Sequence, residues 1–219
     1  MVAKKDIKKE IIKAYSNNLL IDKNSFKTIY ELCVKLEIEE TEFYQYFTSF
    51  KDIEKEILKN IIDSSLSVLK TSPEFETYDT KNKLLSFYFT FFETLTLNRS
   101  IVLYLINSNP NKLEQLKKIE TFKPAFIEFI HELNINFLDV SSDNIQKIQE
   151  KTIHASAWTQ LLLTFKFWMD DKSKGFEKTD IFIEKSISTG FNLLNNDTLN
   201  SLLDFGKFIW KEKVIKTKS

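Results

Sequence analysis

A chain of 219 residues with 31 basic and 31 acidic side chains carries no formal net charge, so no global positive field announces a nucleic-acid partner. Three glycines and three prolines are too few for the tight turns of an all-β or loop-rich protein. The apolar spacing is helical along nearly the whole chain, so the expected fold class is all-α, with about nine or ten helices.

Ile7, Ile11, Ile12 and Tyr15 form the inner stripe of a first helix that ends near Asn17-Asn18. Lys4, Lys5, Lys8, Lys9 and Lys13 make this arm basic against Asp6 and Glu10, which is either a solvated helix face or an arm that tracks phosphates. Ile29, Leu32, Cys33 and Leu36 stand at i, i+3, i+4 and i+7 on a second, short helix. After Ile38 a third helix carries Phe43 and Phe47. Ile53, Ile57, Leu58, Ile61 and Ile62 then mark a long fourth helix from about Lys51 to Lys70. Two short helices at a tight turn, braced by neighbours, describe a helix-turn-helix.

Beyond it, Thr71 to Asp79 reads as a loop, and Thr80 to Asn98 as a helix apolar on nearly all sides, hence buried. Ile101 to Asn107 is a short helix. Lys112 to about Leu138 is a helical region that Pro124 restarts or kinks. Val140 to Asp143 is a turn, and Ile145 to about Asp171 a long helix with Trp158, Leu161, Leu162, Phe165 and Trp168 on a broad apolar face. A loop around Gly175 leads to a helix capped by Thr179 or Asp180 and running through Leu194. A last helix starts near Thr198 and ends in lysines.

The segment from Thr28 to Ile53 is similar to the N-terminal domain of the TetR family of bacterial repressors. Thr28-Ile29-Tyr30-Glu31-Leu32 fits its opening, Phe43-Tyr44-Gln45-Tyr46-Phe47 its Tyr-x-Tyr-Phe signature, and Ser49, Asp52 and Ile53 the start of the next helix. The run from Phe167 to Ile187 resembles a segment of TetR-like C-terminal domains, where two long helices form the dimer interface. The resemblance implies a helix-turn-helix DNA-binding domain over 1–50 and a helical ligand-binding and dimerisation domain over 51–219. It further implies a homodimer, a double-stranded operator as partner, and a small apolar effector. Four positions depart from the family pattern: Glu37 for the turn glycine, Leu36 for an alanine, Glu39 for a capping serine, and Phe50 for a lysine that here falls one place late, at Lys51.

On this reading the DNA-facing residues are Lys4, Lys5, Thr28, Glu40, Thr41, Tyr44, Gln45, Tyr46 and Lys51. Tyr44 and Tyr46 would donate to phosphates, or else pack half-buried against the first helix. Gln45 suits an adenine edge, and Thr28 offers a hydroxyl and a helix-start N–H to a phosphate. Glu39, Glu40 and Glu42 stabilise a first helical turn, yet against DNA only cytosine N4 rewards a carboxylate. Either the site is C/G-selective and driven by flanking lysines, or the fold has lost DNA binding and serves as a lipid- or partner-binding module.

Phe92, Phe126, Phe129, Trp158 and Phe165 are candidates to line an apolar effector cavity, with plain core as the simpler role for any one of them. Glu128-x-x-His131 has di-iron spacing and Glu150 precedes His154 by four. A di-iron site needs two such pairs, so no metal or cofactor is expected. No P-loop, nucleophile elbow or other catalytic set is present, and no enzyme is expected. The lone Cys33 allows no intramolecular disulfide. Polar interruptions of the Leu84 to Leu97 run and a charged start argue against a membrane span or signal peptide, so a cytoplasmic protein is expected.

Overall fold

The computed structural model describes residues 6–22, 26–135 and 143–194, and all regular structure among them is helical. Lys4, Lys5, the end of the region expected to reach Leu138, the turn at Val140 and the last helix from Thr198 lie outside the described residues. The chain divides into two compact units, one of Met1–Ser72 with Thr90–Glu128, the other of Pro73–Phe89 with Phe129–Ser219.

In the first unit α1 (Ile7–Asn17) is capped by Asp6, whose carboxylate accepts the Lys9 N–H. A π-helical turn, Asn18–Asp22, follows it. The helix-turn-helix is α2 (Ile29–Leu36) and α3 (Glu40–Phe43), and α4 (Phe50–Lys70) supports it. Their expected apolar stripes point inward: Ile11, Leu32, Phe43, Ile53 and Ile62 are wholly buried. Burying such a side chain contributes roughly 1.5–3 kcal/mol, which is what holds helices too short to persist alone. The unit also holds α7 (Arg99–Asn107) and α8 (Lys112–Ile119).

The region from Lys112 is two helices rather than one. A 3-10 turn, Glu120–Phe122, separates α8 from α9 (Lys123–Glu132), with Pro124 in the first turn of α9, where its missing N–H costs nothing. The stretch from Thr71 to Asp79 is not all loop, since α5 (Pro73–Thr77) forms there, started by Pro73 and favoured by Glu74 and Glu76 at its positive end. Between them in sequence, α6 (Thr80–Leu97) contributes to both units, as α9 does. Most of the apolar set on α6 is buried, but Phe89 is 39% exposed and Leu97 79%.

The second unit is built on α10 (Asp143–Asp170) and α11 (Glu177–Leu194), which pack on each other. Trp158, Leu161, Phe165 and Trp168 of α10 and Ile183 and Ile187 of α11 are buried. The loop between them is locked by Asp171, whose carboxylate accepts the Ser173 N–H (2.8 Å) and hydroxyl (2.7 Å) and the Thr179 N–H (2.9 Å) and hydroxyl (2.7 Å). Gly175 takes the left-handed conformation there (φ 64°), open to glycine without strain.

Candidate nucleic-acid interface

The helix-turn-helix owes its shape to how α2 stops. Glu37 is left-handed (φ 56°, ψ 43°). Its N–H donates to the Val34 carbonyl and the Ile38 N–H to that of Cys33, both orphan acceptors of the α2 C-terminus. This is a Schellman closure, the geometry that favours glycine, made here with a glutamate. Thr28 caps the other end of α2, its hydroxyl accepting the Glu31 N–H at 3.2 Å.

Helix α3 is a single turn, prolonged by the Tyr44 N–H to Glu40 carbonyl bond (2.9 Å) and the Phe47 N–H to Phe43 carbonyl bond (3.1 Å). Phe43 and Phe47 fasten it inward and Tyr44 sits edge-on to Phe43, ring centroids 5.4 Å apart. Glu39 makes no side-chain cap, where a serine would. The loop into α4 closes on Asp52, which accepts the Thr48 N–H and hydroxyl and the Ser49 hydroxyl. The Thr48 bonds, with those of Ser49, hold the Asp52 carboxyl below the usual carboxylate range.

All the described candidates sit at the surface: Thr28, Glu40, Thr41, Tyr44, Gln45, Tyr46 and Lys51 are exposed. Thr28 stands at the start of α2 and the run from Glu40 to Tyr46 on and just after α3. Sequence reasoning passed over Tyr30 and Val34, which are 65% and 58% exposed on α2. Their position between the apolar stripe residues was the available signal.

The charges on this face are mostly negative. Glu37, Glu39 and Glu40 are exposed, and no Lys or Arg stands between Leu36 and Phe50. Burial first, then the carboxylates of Glu40 and Glu39, push the Cys33 thiol up, so their field reaches into α2. The flanking lysines differ among themselves. Lys8 is bound to Glu56 of α4 (2.5 Å) and Lys9 to Asp6 (3.1 Å), whereas Lys27, Lys35 and Lys51 are exposed around the motif. Lys35 also rests over the Phe26 ring, 5.5 Å from its centroid.

All five effector candidates are buried, with Phe92 and Phe126 in the first unit and Phe129, Trp158 and Phe165 in the second. Phe129 stacks on Phe87 at 4.7 Å, and Phe165 lies 5.5 Å from Trp168. In that second unit the two histidines of the chain converge: His131 and His154 rings are 6.2 Å apart and His131 Nε2 is 3.7 Å from Glu150. Among the described residues no group of three or more His, Cys, Asp or Glu is placed to hold a metal ion.

An all-helical chain that presents a short exposed helix after a Schellman turn, with two tyrosines beside it, has the build of a helix-turn-helix regulator. The tetracyclin repressor-like C-terminal domain family matches residues 83–209, more than half of the chain, and the chain belongs to the TetR family of transcriptional regulators. Two crystal structures share its fold. One is a TetR transcriptional regulator from Nitrosomonas europaea ATCC 19718 (TM-score 0.59, 17% identity, covering 84% of this chain and 96% of that one). The other is a putative TetR-family transcriptional regulator from Syntrophomonas wolfei str. Goettingen (TM-score 0.57, 17% identity, covering 88% and 96%). Comparison with curated protein sequences gives no match. Among the described residues no helix is long and apolar enough to cross a membrane.

Proposed function

We propose that this regulator binds double-stranded operator DNA through residues 1–50, as a homodimer joined through α10 and α11, and responds to a small apolar effector held by residues 51–219. The observation that carries the DNA reading is the exposed Tyr44-Gln45-Tyr46 set at the end of α3, anchored from below by buried Phe43 and Phe47. Tyrosine hydroxyls there donate to phosphates and set the docking register, while Gln45 addresses a base edge. The acidic start of α3 repels the phosphate lattice, so affinity comes from flanking lysines and is steeply salt-dependent.

Exposed apolar residues on the last two helices support the dimer. Leu163 is 55% exposed, Ile181 48% and Leu193 57%, and Phe167 stacks on Phe182 (4.6 Å, 12° between planes) beside a cleft of about 560 Å3. Burying such a surface against its copy is the usual solution for a two-fold dimer. The effector reading rests on the buried aromatics Phe129, Trp158 and Phe165 in the second unit, with Phe92 and Phe126 in the first. Its check is a fluorescent polyaromatic probe whose affinity changes in Trp158→Phe.

The deciding experiment selects bound fragments from the organism's own DNA at about 50 and 150 mM salt. Enrichment of one palindromic sequence at both concentrations is expected. No enrichment even at the lower one would leave the fold as a lipid- or partner-binding module.

A further inference from the structure

Histidine occurs only twice in the 219 residues, and both imidazoles meet in the second unit. His131 stands in the last turn of α9 and His154 on α10, with ring centroids 6.2 Å apart and planes inclined at 58°. They line one groove of about 520 Å3, with Ile130 and Ile153 on its apolar side and Glu132 and Glu150 as carboxylates on the same lining. The His131 side chain is 68% exposed and His154 is half-buried, so both rings are open to solvent. Helical periodicity gives no reason for two helices to place the only histidines of the chain side by side.

The spacing suits a shared cation. A metal about 2.0–2.1 Å from a ring nitrogen lies roughly 3.2 Å from that ring's centroid, so two imidazoles on one metal have centroids about 5–6.4 Å apart, from tetrahedral to linear. The observed 6.2 Å is at the wide end of that span, and a turn of the exposed His131 side chain narrows it without moving either helix. Imidazole suits Zn2+, Cu2+ and Ni2+, whereas Mg2+ and Ca2+ prefer oxygen ligands. The Glu150 carboxylate, 3.7 Å from His131 Nε2, adds negative charge beside the cation. Two imidazoles fall short of the three or four protein ligands of a catalytic or structural metal site, so water completes the shell and the cation exchanges.

We infer that His131 and His154 form a two-imidazole clamp for a late first-row divalent cation, with water in the remaining coordination positions. Bound there, the cation ties the end of α9 to α10 and stabilises the second unit by mass action. The clamp uses none of the aromatic effector candidates and stands whether or not the protein binds DNA.

The test is isothermal titration of the full chain, without an added histidine tag, with CuCl2, NiCl2, ZnCl2 and MgCl2 at about pH 7.5, where free imidazole is mostly neutral. Wild type should bind one Cu2+ per chain with a Kd below about 100 μM, Ni2+ and Zn2+ more weakly, and Mg2+ not at all. His131→Asn and His154→Asn should each weaken Cu2+ at least about tenfold. Electron paramagnetic resonance of the Cu2+ complex should show coupling to two imidazole nitrogens in wild type and to one in either variant. Absence of saturable Cu2+ binding below about 1 mM overturns the inference, as does coupling to fewer than two imidazole nitrogens in wild type. So does a Cu2+ affinity that either variant leaves within about twofold, which would mean a single-imidazole site or a site elsewhere. Should His154→Asn not fold, the nitrogen count in wild type and in His131→Asn decides.

Discussion

Lys118 Nζ lies 2.8 Å from Glu54 Oε2 across 64 residues of sequence, and the pair gathers four helices of the first unit, α1, α4, α7 and α8. Tyr15 of α1 donates its hydroxyl to the other oxygen of Glu54 (3.0 Å), while Lys118 of α8 also donates to the Leu105 carbonyl and the Ser108 hydroxyl at the end of α7, both at 2.9 Å. Burial, and then the charge and hydrogen bond of Glu54, push the Tyr15 phenol well above its ordinary value, so it stays a donor at all working pH. The side chains of Lys118 and Glu54 are only 26% and 21% exposed, so loss of one partner strands the other. Glu54→Leu should therefore cost about 1–3 kcal/mol, read as a lower urea midpoint at unchanged slope, and the double variant with Lys118→Met should recover part of it. A Glu54→Leu midpoint equal to wild type would show that the hub contributes nothing to stability.

Glu37 holds a left-handed conformation that a side chain disfavours. Glu37→Gly should raise stability by about 0.5–1 kcal/mol despite the extra freedom it gives the unfolded chain, because the strain relieved at φ 56° outweighs that loss. It also removes one acid beside α3, so any DNA affinity should rise rather than fall. Thermal melts decide the first point, and a lower melting temperature would count against strain at this turn.

Within the basic arm, Lys8 has a partner on α4. Lys8 is engaged with Glu56, so Lys8→Met should lower stability and leave the salt slope of DNA binding nearly untouched. Lys4→Gln with Lys5→Gln should flatten that slope by about 1–2 in log–log form and weaken all sequences alike. Equal slopes for wild type and the Lys4/Lys5 variant would remove the arm from the interface.

Asp171 makes the second unit sensitive to acid. Burial raises its carboxyl, but the four hydrogen bonds from Ser173 and Thr179 outweigh this and hold it at about 2, below its ordinary 3.8. A depressed folded-state value stabilises the fold at pH above the unfolded value and is lost as pH falls through the folded one. Asp171→Asn should therefore be less stable than wild type at pH 7, with the gap closing between about pH 4 and pH 2. A gap independent of pH over that window would assign the effect to packing instead.

The proposed dimer has a direct test in Ile181, which is 48% exposed on α11. Ile181→Glu should give monomers by light scattering at micromolar concentration, because a desolvated, unpaired carboxylate opposes association. Phe191 is a poorer site for this substitution, being half-buried within its own chain. A monomeric wild type would end the dimer reading.

What could be read from the sequence was what neighbours along the chain decide. The stripe Ile29, Leu32, Cys33, Leu36 and the pair Phe43 and Phe47 follow from helical periodicity; Leu32, Cys33, Phe43 and Phe47 are buried as that pattern implies, and Ile29 and Leu36 are half-buried. The left-handed Glu37 was foreshadowed by the family resemblance, in which this position is the turn glycine. Local signals also failed in places: Thr71 to Asp79 was read as a loop although Pro73 starts α5 there, and the helix from Thr80 to Asn98 was read as buried although its Phe89 is exposed. Only the tertiary structure brought Tyr15, Glu54 and Lys118 to one point and paired Lys8 with Glu56. Periodicity states which face of a helix is buried. It does not state which other helix covers that face, because hydrophobic burial is non-directional and many partners satisfy it equally until the whole core is packed.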